Sequence, residues 1–243
     1  MERTGTFSSS EIHKLMKGGR SGGFGAPALT YIAEKRMELR LLRPLNNETD
    51  AKPANWGKFL EKRCFDLLGL EYKLRSQDRL VHPDIPAWTG APDCILEDTV
   101  CDIKCPFTLK SFCESVDAMN NKNVPYHSDI DPSPVVEWNF KELRPEYYWQ
   151  LISNAILTGK KYVEIIVYVP YKEELAEIRE MAQNLDSSQT SISFINWASD
   201  EQLPYLNKEG QYKNINILRW IADEEDKKLL TKKVQEAIKL LIA

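Results

Sequence analysis

The feature that most constrains this chain is a short segment, residues 100–106 (VCDIKCP), that is apolar apart from one acid and one lysine. Its apolar and β-branched residues predict a buried strand. Because side chains alternate between the two faces of a strand, Asp102 and Lys104 point to the same face. For this triplet taken alone, a solvent-facing salt bridge is the plain alternative to a catalytic site.

A second acid, Asp93, comes from the preceding strand. Residues 92–98 and 99–105 are predicted as two strands joined by a short turn, which lets Asp93 lie next to Asp102. Two close carboxylates repel each other unless a cation lies between them, and Mg²⁺ suits one or two carboxylates plus a substrate phosphate. Such an ion activates a bound water, and Lys104 can orient that water and offset negative charge. The pattern predicts hydrolysis of a phosphodiester, with Mn²⁺ able to replace Mg²⁺.

The rest of the chain alternates between predicted helices and strands. Helices are predicted at residues 8–17, 27–42, 56–68, 145–157, 172–185 and 223–242, and further strands at 162–169, 190–197 and 214–220. Residues 114–142 are polar and are predicted to form a long excursion. This order predicts an α/β (α+β) fold with a mixed central β-sheet flanked by helices.

Composition indicates a soluble globular protein. The 243 residues suit one domain, 1–243, and neither a membrane-spanning run nor a secretory signal is present, so a cytoplasmic location is expected. The five cysteines include no C-x-x-C pair and are expected to be buried reduced thiols. Residues 1–75 carry 14 Lys and Arg against 9 Asp and Glu, although the net charge is −4. These basic residues either form a phosphate-binding face or simply lie on helix faces that are exposed to solvent.

Two helical residues have an unusual setting. Glu61 falls on the mostly apolar face of the helix at 56–68, where a carboxylate needs an explanation. Gln150 shares a helix face with Tyr147 and Asn154, so an exposed polar position stays an alternative to a site residue.

The N-terminal helix begins with a serine cluster. Ser8 and Glu11 match a capping box, and a helix start with unpaired N–H groups near Ser10 can bind an anion. Capping alone is the alternative explanation of these serines.

Four stretches carry a resemblance to a known family over roughly residues 3–171. They are RTGTFSSSEI at 3–12, WGKFLE at 56–61, APD at 91–93 with DIKCPFT at 102–108, and YYWQ at 147–150 leading into the strand at 162–169. The chain thereby resembles the phage lambda exonuclease and YqaJ-like viral recombinase family of the PD-(D/E)xK nuclease superfamily. The resemblance implies a restriction-endonuclease-like core at about 76–171, an N-terminal DNA-binding part at about 1–75 and a C-terminal part at 172–243.

The resemblance also implies roles for individual residues at the metal. Asp93, Asp102 and the backbone carbonyl of Ile103 match the metal ligands, and Lys104 matches the catalytic lysine. Asp84 matches an acid that binds a second metal ion, if a gap is allowed in the alignment with the family. Asp102 departs from lambda exonuclease, which has Glu at this place, and this shortens the reach of the ligand without removing it.

Four further residues receive roles from the resemblance. Glu61 matches a helix glutamate that faces the site, and Gln150 matches a glutamine that helps to hold it. Arg3 and Ser10 match residues that grip a terminal 5′-phosphate. The segment 105–149 is longer than in lambda exonuclease, which leaves the shape of the DNA channel open.

The implied activity is 5′→3′ degradation of one strand of double-stranded DNA from its ends, leaving 3′ overhangs for phage-type recombination. The implied partners are DNA ends, two further copies in a ring-shaped homotrimer, and a single-strand annealing protein. A ring would keep an acidic protein on DNA because it encloses the duplex.

Two other readings stay open from the sequence. One is a RecB-like, Cas4-like or structure-specific DNA endonuclease, although no cysteine follows Cys113 as the iron–sulfur cluster of Cas4-like proteins would require. The other is a catalytically inactive DNA-end-binding protein, which is disfavoured because every acid, the lysine and the glutamine are present.

Overall fold

The computed structural model describes residues 4–19, 22–45, 51–69, 72, 79–120, 140–184 and 190–242. Its helices are α1 (Ala26–Leu41), α2 (Lys52–Leu68), α3 (Leu109–Met119), α4 (Pro145–Thr158), α5 (Leu175–Asn184), α6 (Phe194–Trp197) and α7 (Glu224–Ile242). Its strands are β1 (Phe7–Ser8), β2 (Leu80–Val81), β3 (Trp88–Gly90), β4 (Cys94–Ile95), β5 (Thr99–Lys104), β6 (Tyr162–Tyr168) and β7 (Ile215–Ile221). Short 3₁₀ helices lie at Ser9–Met16, Lys172–Glu174, Thr190–Ile192 and Asp200–Gln202. Within these ranges, no helix has the length and apolar character needed to cross a membrane.

The larger sheet has the strand order β4-β5-β6-β7. Its outer strands run antiparallel to their neighbours, while β5 and β6 are parallel, with Thr99 opposite Tyr162 and Lys104 opposite Val167. A parallel pair needs a long crossover, and α3 and α4 lie on the chain between these two strands. This mixed sheet with flanking helices confirms the predicted fold class.

The two faces of the larger sheet pack against different helices. Val100 and Ile165 belong to a core formed with α4 and α7. Cys101 and Ile103 belong to a second core formed with α2, α5 and the segment 190–203. The alternation predicted for β5 is therefore confirmed, and it places the side chain of Asp102 on the α4 side.

A second sheet, with the order β1-β3-β2, was not predicted from the sequence. Phe7 pairs with Trp88, so the N-terminal segment is joined to the strand that leads towards the acid at position 93. A Cβ atom added to Gly90 would overlap the hydroxyl of Ser9. Glycine is required there because the two segments approach so closely.

One local prediction was wrong and two others were wrong in part. Residues 190–197 form a 3₁₀ turn and helix α6 and are not a strand. The helix predicted at 8–17 is present as a 3₁₀ helix, Ser9–Met16, but the predicted capping box is wrong because Ser8 makes no side-chain capping bond. The excursion predicted at 114–142 begins inside α3, which ends at Met119, and residues 121–139 lie outside the described residues.

A buried arginine on α2 joins this helix to the segment that follows β6. The Arg63 side chain is 8% exposed and donates a hydrogen bond to the Tyr168 hydroxyl at 3.1 Å. Its guanidinium also pairs with Glu174 at 2.9 Å and with Glu177 at 2.7 Å. The charge-assisted bonds to Glu174 satisfy both partners in a poorly hydrated position.

We expect Arg63→Ala to lower the free energy of unfolding by about 3 kcal/mol, because it leaves Glu174 partly buried without its partner. Urea denaturation of both proteins measures the difference. Lys62→Ala is the matched control, since Lys62 and Asp66 form a pair that is mostly exposed, and such pairs contribute about 0.2–1 kcal/mol. Equal losses in the two variants would contradict the prediction.

Candidate active site

Three side chains form a closed polar arrangement between β5 and α4. The Asp102 side chain is 2% exposed, and its Oδ1 atom accepts a hydrogen bond from Gln150 Nε2 at 2.8 Å. Gln150 Oε1 accepts a bond from Lys104 Nζ at 3.1 Å, and this ammonium lies 2.5 Å from Asp102 Oδ2. Gln150 thus fixes both the acid and the lysine, and it is buried. The alternative of an exposed polar position for Gln150 is therefore wrong.

Asp93 lies beside the edge of β5 that pairs with β4. Its Oδ2 atom accepts a hydrogen bond from the backbone N–H of Ile103 at 2.7 Å. β4 pairs with β5 only as far as Cys94 opposite Cys101, so Asp93 replaces a strand partner at this point. The N–H and C=O of one strand residue point to the same edge, and the Ile103 carbonyl therefore faces Asp93 as well.

Glu61 on α2 completes a group of three carboxylates. Burial and the charge of Asp102 raise the pKa of Glu61 to about 7. Burial, Asp102 and Glu61 raise the pKa of Asp93 well above its ordinary value. Such mutual repulsion in a poorly hydrated place is characteristic of sites that bind a cation or transfer protons.

Lys104 is the cation that lies among these acids. Burial alone would lower the pKa of Lys104, but the carboxylates of Asp102 and Asp93 outweigh it and raise the pKa. Its side chain keeps 22% of its surface exposed, so the ammonium can reach a bound substrate. The ring of Tyr147 lies 5.4 Å from Nζ and adds a cation–π contact.

Four cysteines surround this part of the sheet on the α2 side. Cys64, Cys94, Cys101 and Cys105 are buried and reduced, and Cys113 is half-buried. Burial raises the pKa of Cys64 to about 12, and it raises the pKa of Cys105 well above the ordinary value. Buried thiols of this kind stay protonated and are chemically inert. The predicted buried thiols are confirmed for these four.

Comparison with known proteins gives a match at the level of structure. The sequence matches no protein-family model and no curated protein. The fold matches the alkaline exonuclease LHK-Exo from Laribacter hongkongensis with a TM-score of 0.59 and 15% identity, over 98% of this chain and 89% of that chain. A complex of that exonuclease with dAMP gives a TM-score of 0.60. A phage-related exonuclease from Haemophilus somnus 129PT gives 0.61 at 15% identity, over 97% of this chain and 93% of that chain.

The chain has the fold of these exonucleases. The resemblance drawn from the sequence is thereby confirmed for the fold, over nearly the full length of both chains. The exonuclease fold places the group around Asp102 where β5, α2 and α4 meet.

The oxygen-rich group in this exonuclease fold suits a magnesium ion. No ready-made cage of three or more His, Cys, Asp or Glu ligands occurs among the described residues, but Mg²⁺ is usually held by one or two carboxylates and keeps several waters. Asp102 Oδ2 is buried, and its partner is the Lys104 ammonium at 2.5 Å. Together with Asp93 and the Ile103 carbonyl, it offers the hard oxygen donors that this ion prefers.

The exonuclease fold brings some of the expected residues together and leaves others apart. Glu61, Asp93, Asp102, Lys104 and Gln150 converge. Asp84 is exposed on the turn between β2 and β3, and its backbone N–H bonds to His82. The structure shows no contact between Asp84 and the group within the described ranges, so its role at a second metal stays a prediction.

The serine cluster lies close to α4. Ser10 is exposed, and its hydroxyl is 3.2 Å from that of Ser8. Ser9 bonds to Ser153 at 2.8 Å, about one turn along α4 from Gln150. Because Ser8 does not cap the helix, capping alone does not explain these serines. Arg3 lies outside the described residues.

Tyr147 is the site residue that the sequence reasoning missed. It lies one turn before Gln150 on α4, and its ring also stacks on the Arg144 guanidinium at 4.6 Å. The helical spacing of three had already placed its side chain on the face of Gln150, but it did not indicate the contact with Lys104.

Proposed function

We propose that this chain is a magnesium-dependent exonuclease that degrades one strand of double-stranded DNA from its ends in the 5′→3′ direction. The observation that carries the proposal is the convergence of Asp93, Asp102, Glu61 and Lys104 at the end of one strand in an exonuclease fold. When bound, a magnesium or manganese ion supplies Lewis acidity and a water of lowered pKa.

The residues of the chain have distinct tasks in this reaction. Asp93, Asp102 and the Ile103 carbonyl would hold the ion, whose positive charge would attract the phosphate. Lys104 donates to the oxygen on which negative charge develops, and Gln150 keeps the ammonium and the Asp102 carboxylate in place. Glu61 adds a third carboxylate to the site, where its raised pKa suits proton exchange with water.

The product and the polarity belong to the same proposal. The dAMP held by the Laribacter exonuclease supports a nucleoside monophosphate as the product here. Arg3 and Ser10 are proposed to grip the 5′-phosphate of the strand that is degraded, next to α4. The remaining 3′ single strand would serve phage-type recombination in the cytoplasm, together with a single-strand annealing protein.

A homotrimeric ring around the DNA is the proposed assembly. The net charge of −4 gives no overall attraction to phosphates, and a closed ring keeps a protein on DNA without such attraction. Light scattering of the purified protein measures the number of copies.

Digestion of linear duplex DNA tests the proposed function. The strand with a 5′-phosphate should be degraded in Mg²⁺ or Mn²⁺ and preserved in EDTA, its complement should remain intact, and 5′-hydroxyl ends should be cut more slowly. Degradation from the 3′ end would contradict the polarity. Equal cutting of closed circles would support the endonuclease reading, and binding without digestion would support an inactive end-binding protein.

A further inference from the structure

The connection between β6 and β7 is far longer than the fold requires. These strands are antiparallel neighbours, and such neighbours can be joined by a hairpin loop of about 2–5 residues. Here residues 169–214 intervene and contain α5 and α6. Long connections inside a compact domain usually serve a function, and we call residues 169–214 the β6–β7 insertion.

The β6–β7 insertion packs beside the end of β5 that carries the acids and the lysine. The ring of Phe194 on α6 meets the ring of Phe107 edge-on at 5.9 Å, and Phe107 meets Trp56 of α2 at 6.0 Å. Asn55 of α2 bonds to the Ser191 carbonyl at 3.1 Å. Phe107 follows Lys104 by three residues, at most about 10 Å of chain. The insertion therefore forms a wall beyond the end of β5, on the α2 face of the sheet, and the Asp102 side chain lies on the opposite, α4 face.

Trp197 lies at the end of α6, one helical turn after Phe194, and its side chain is 87% exposed. The other four tryptophans whose burial is described, Trp56, Trp88, Trp149 and Trp220, are at most 5% exposed. An exposed indole ring leaves a large apolar area in contact with water, which is unfavourable. Within the described residues, the structure shows no aromatic or cation partner for this ring. The Trp197 ring is thus available to a ligand.

The backbone that carries Trp197 is firmly held. The carbonyl of Ala198 accepts a hydrogen bond from Arg179 at 2.9 Å, and Arg179 also pairs with Asp200 at 2.8 Å. Ser199 and Gln202 form a capping box on the following 3₁₀ turn. A fixed backbone beneath an exposed ring reduces the entropy lost when the ring binds a partner.

Two lysines of α2 lie beside this wall, while the β6–β7 insertion itself carries 4 Lys and Arg against 8 Asp and Glu. Lys52 lies 5.5 Å from the Phe194 ring, and Lys58 is exposed on α2 and within electrostatic reach of Glu61. Of the acids that follow Trp197, Asp200 is paired with Arg179, and Glu201 is exposed. Lysines interleaved with an exposed aromatic ring are typical of surfaces that bind single-stranded nucleic acid.

We propose that Trp197 is a stacking platform for an unpaired base of the DNA strand that passes the active site. This inference deepens the proposed nuclease function and rests on it. Along the path from Lys104 through Phe107 and Phe194, the ring lies at most about 20 Å away, a span of up to about six nucleotides at ~3.4 Å each. Stacking on a π-face accepts any base, as a non-sequence-specific exonuclease requires.

Binding of labelled DNA by Trp197→Ala, measured by fluorescence anisotropy in EDTA so that the strand is not consumed, tests this inference. The dissociation constant for a duplex with a single-stranded tail should rise about tenfold, the scale of one lost base stack. The constant for a blunt duplex should change less than about twofold. Trp197→Phe should retain most of the affinity because it keeps an aromatic face.

Ile242→Ala is the matched control, since Ile242 is also an exposed apolar residue, 77% exposed at the end of α7, and should bind both DNAs as the wild type does. An unchanged affinity of Trp197→Ala for tailed DNA, or an equal loss on blunt DNA, would overturn the inference while wild-type digestion upholds the nuclease. A smaller mass of Trp197→Ala in light scattering would assign the ring to a second copy and also overturn it. If the wild type neither binds nor digests DNA, the proposed function itself fails.

Discussion

Lys104→Ala is expected to slow strand cleavage by about a hundred- to a thousandfold, the effect of removing one preorganised donor to developing charge. DNA affinity should stay within about twofold, because one partly buried ammonium contributes little to binding of a long phosphate backbone. Lys104 is suited to this task because Asp102 holds it at 2.5 Å and Gln150 orients it. Single-turnover cleavage and DNA binding in EDTA measure the two quantities separately.

Two further variants make the Lys104 prediction decisive. Lys104→Gln removes the charge but keeps a side chain that can bond to Gln150, so it should be equally slow even if Lys104→Ala is less stable. Lys228→Ala is the control, since Lys228 lies on α7 in an exposed pair with Glu225, and it should cleave at the wild-type rate. Wild-type cleavage by Lys104→Gln would remove Lys104 from the active site.

The placement of Asp102 beside Lys104 could be predicted from the sequence because strand alternation is a strong rule. Asp102 and Lys104 could only share a face, and the apolar strand around them fixed that face in the sheet. The position of Asp93 depended on a hairpin short enough to predict. Bonds such as Gln150 to Asp102 span distant parts of the sequence, and only the resemblance suggested that Gln150 belongs to the site.

The wrong prediction of a strand at residues 190–197 shows where local sequence patterns are ambiguous. Ile192 and Ile195 are both buried and are three residues apart, which is helical spacing, but a short apolar run cannot be assigned by period alone. Helix α3 was missed although Thr108 caps it by accepting a bond from the Ser111 N–H. Its buried residues Phe112 and Val116 are four apart, a signal that the polar composition concealed.

The β1-β3-β2 sheet could not have been predicted from such patterns. Its strands contain two or three residues each, too few to show an alternation. The pairing of Phe7 with Trp88 is set by tertiary packing, including the close approach of Gly90 to Ser9. Short strands of this kind depend on their neighbours more than on their own propensity.

Asp102→Asn should abolish both metal binding and cleavage while preserving the fold. Asparagine has nearly the same shape, and its Oδ1 can still accept the bond from Gln150, but it removes the charge that attracts the ion. Cleavage should fall by at least about a thousandfold, since the ion contributes several kcal/mol and each 1.4 kcal/mol is a factor of about ten. Mg²⁺ titrations followed by cleavage assays measure this loss.

Thermal unfolding gives a second readout for Asp102→Asn that does not depend on catalysis. For the wild type, Mg²⁺ at about a hundred times its Kd adds ~2.7 kcal/mol of stability, which corresponds to a rise in Tm of about 5–11 °C for a chain of this size. The variant should show no rise, whereas Asp98→Asn, an exposed acid on the same β4–β5 hairpin, should behave as the wild type. Equal Tm rises in wild type and Asp102→Asn would place the ion elsewhere and leave the carboxylate group without the role assigned to it.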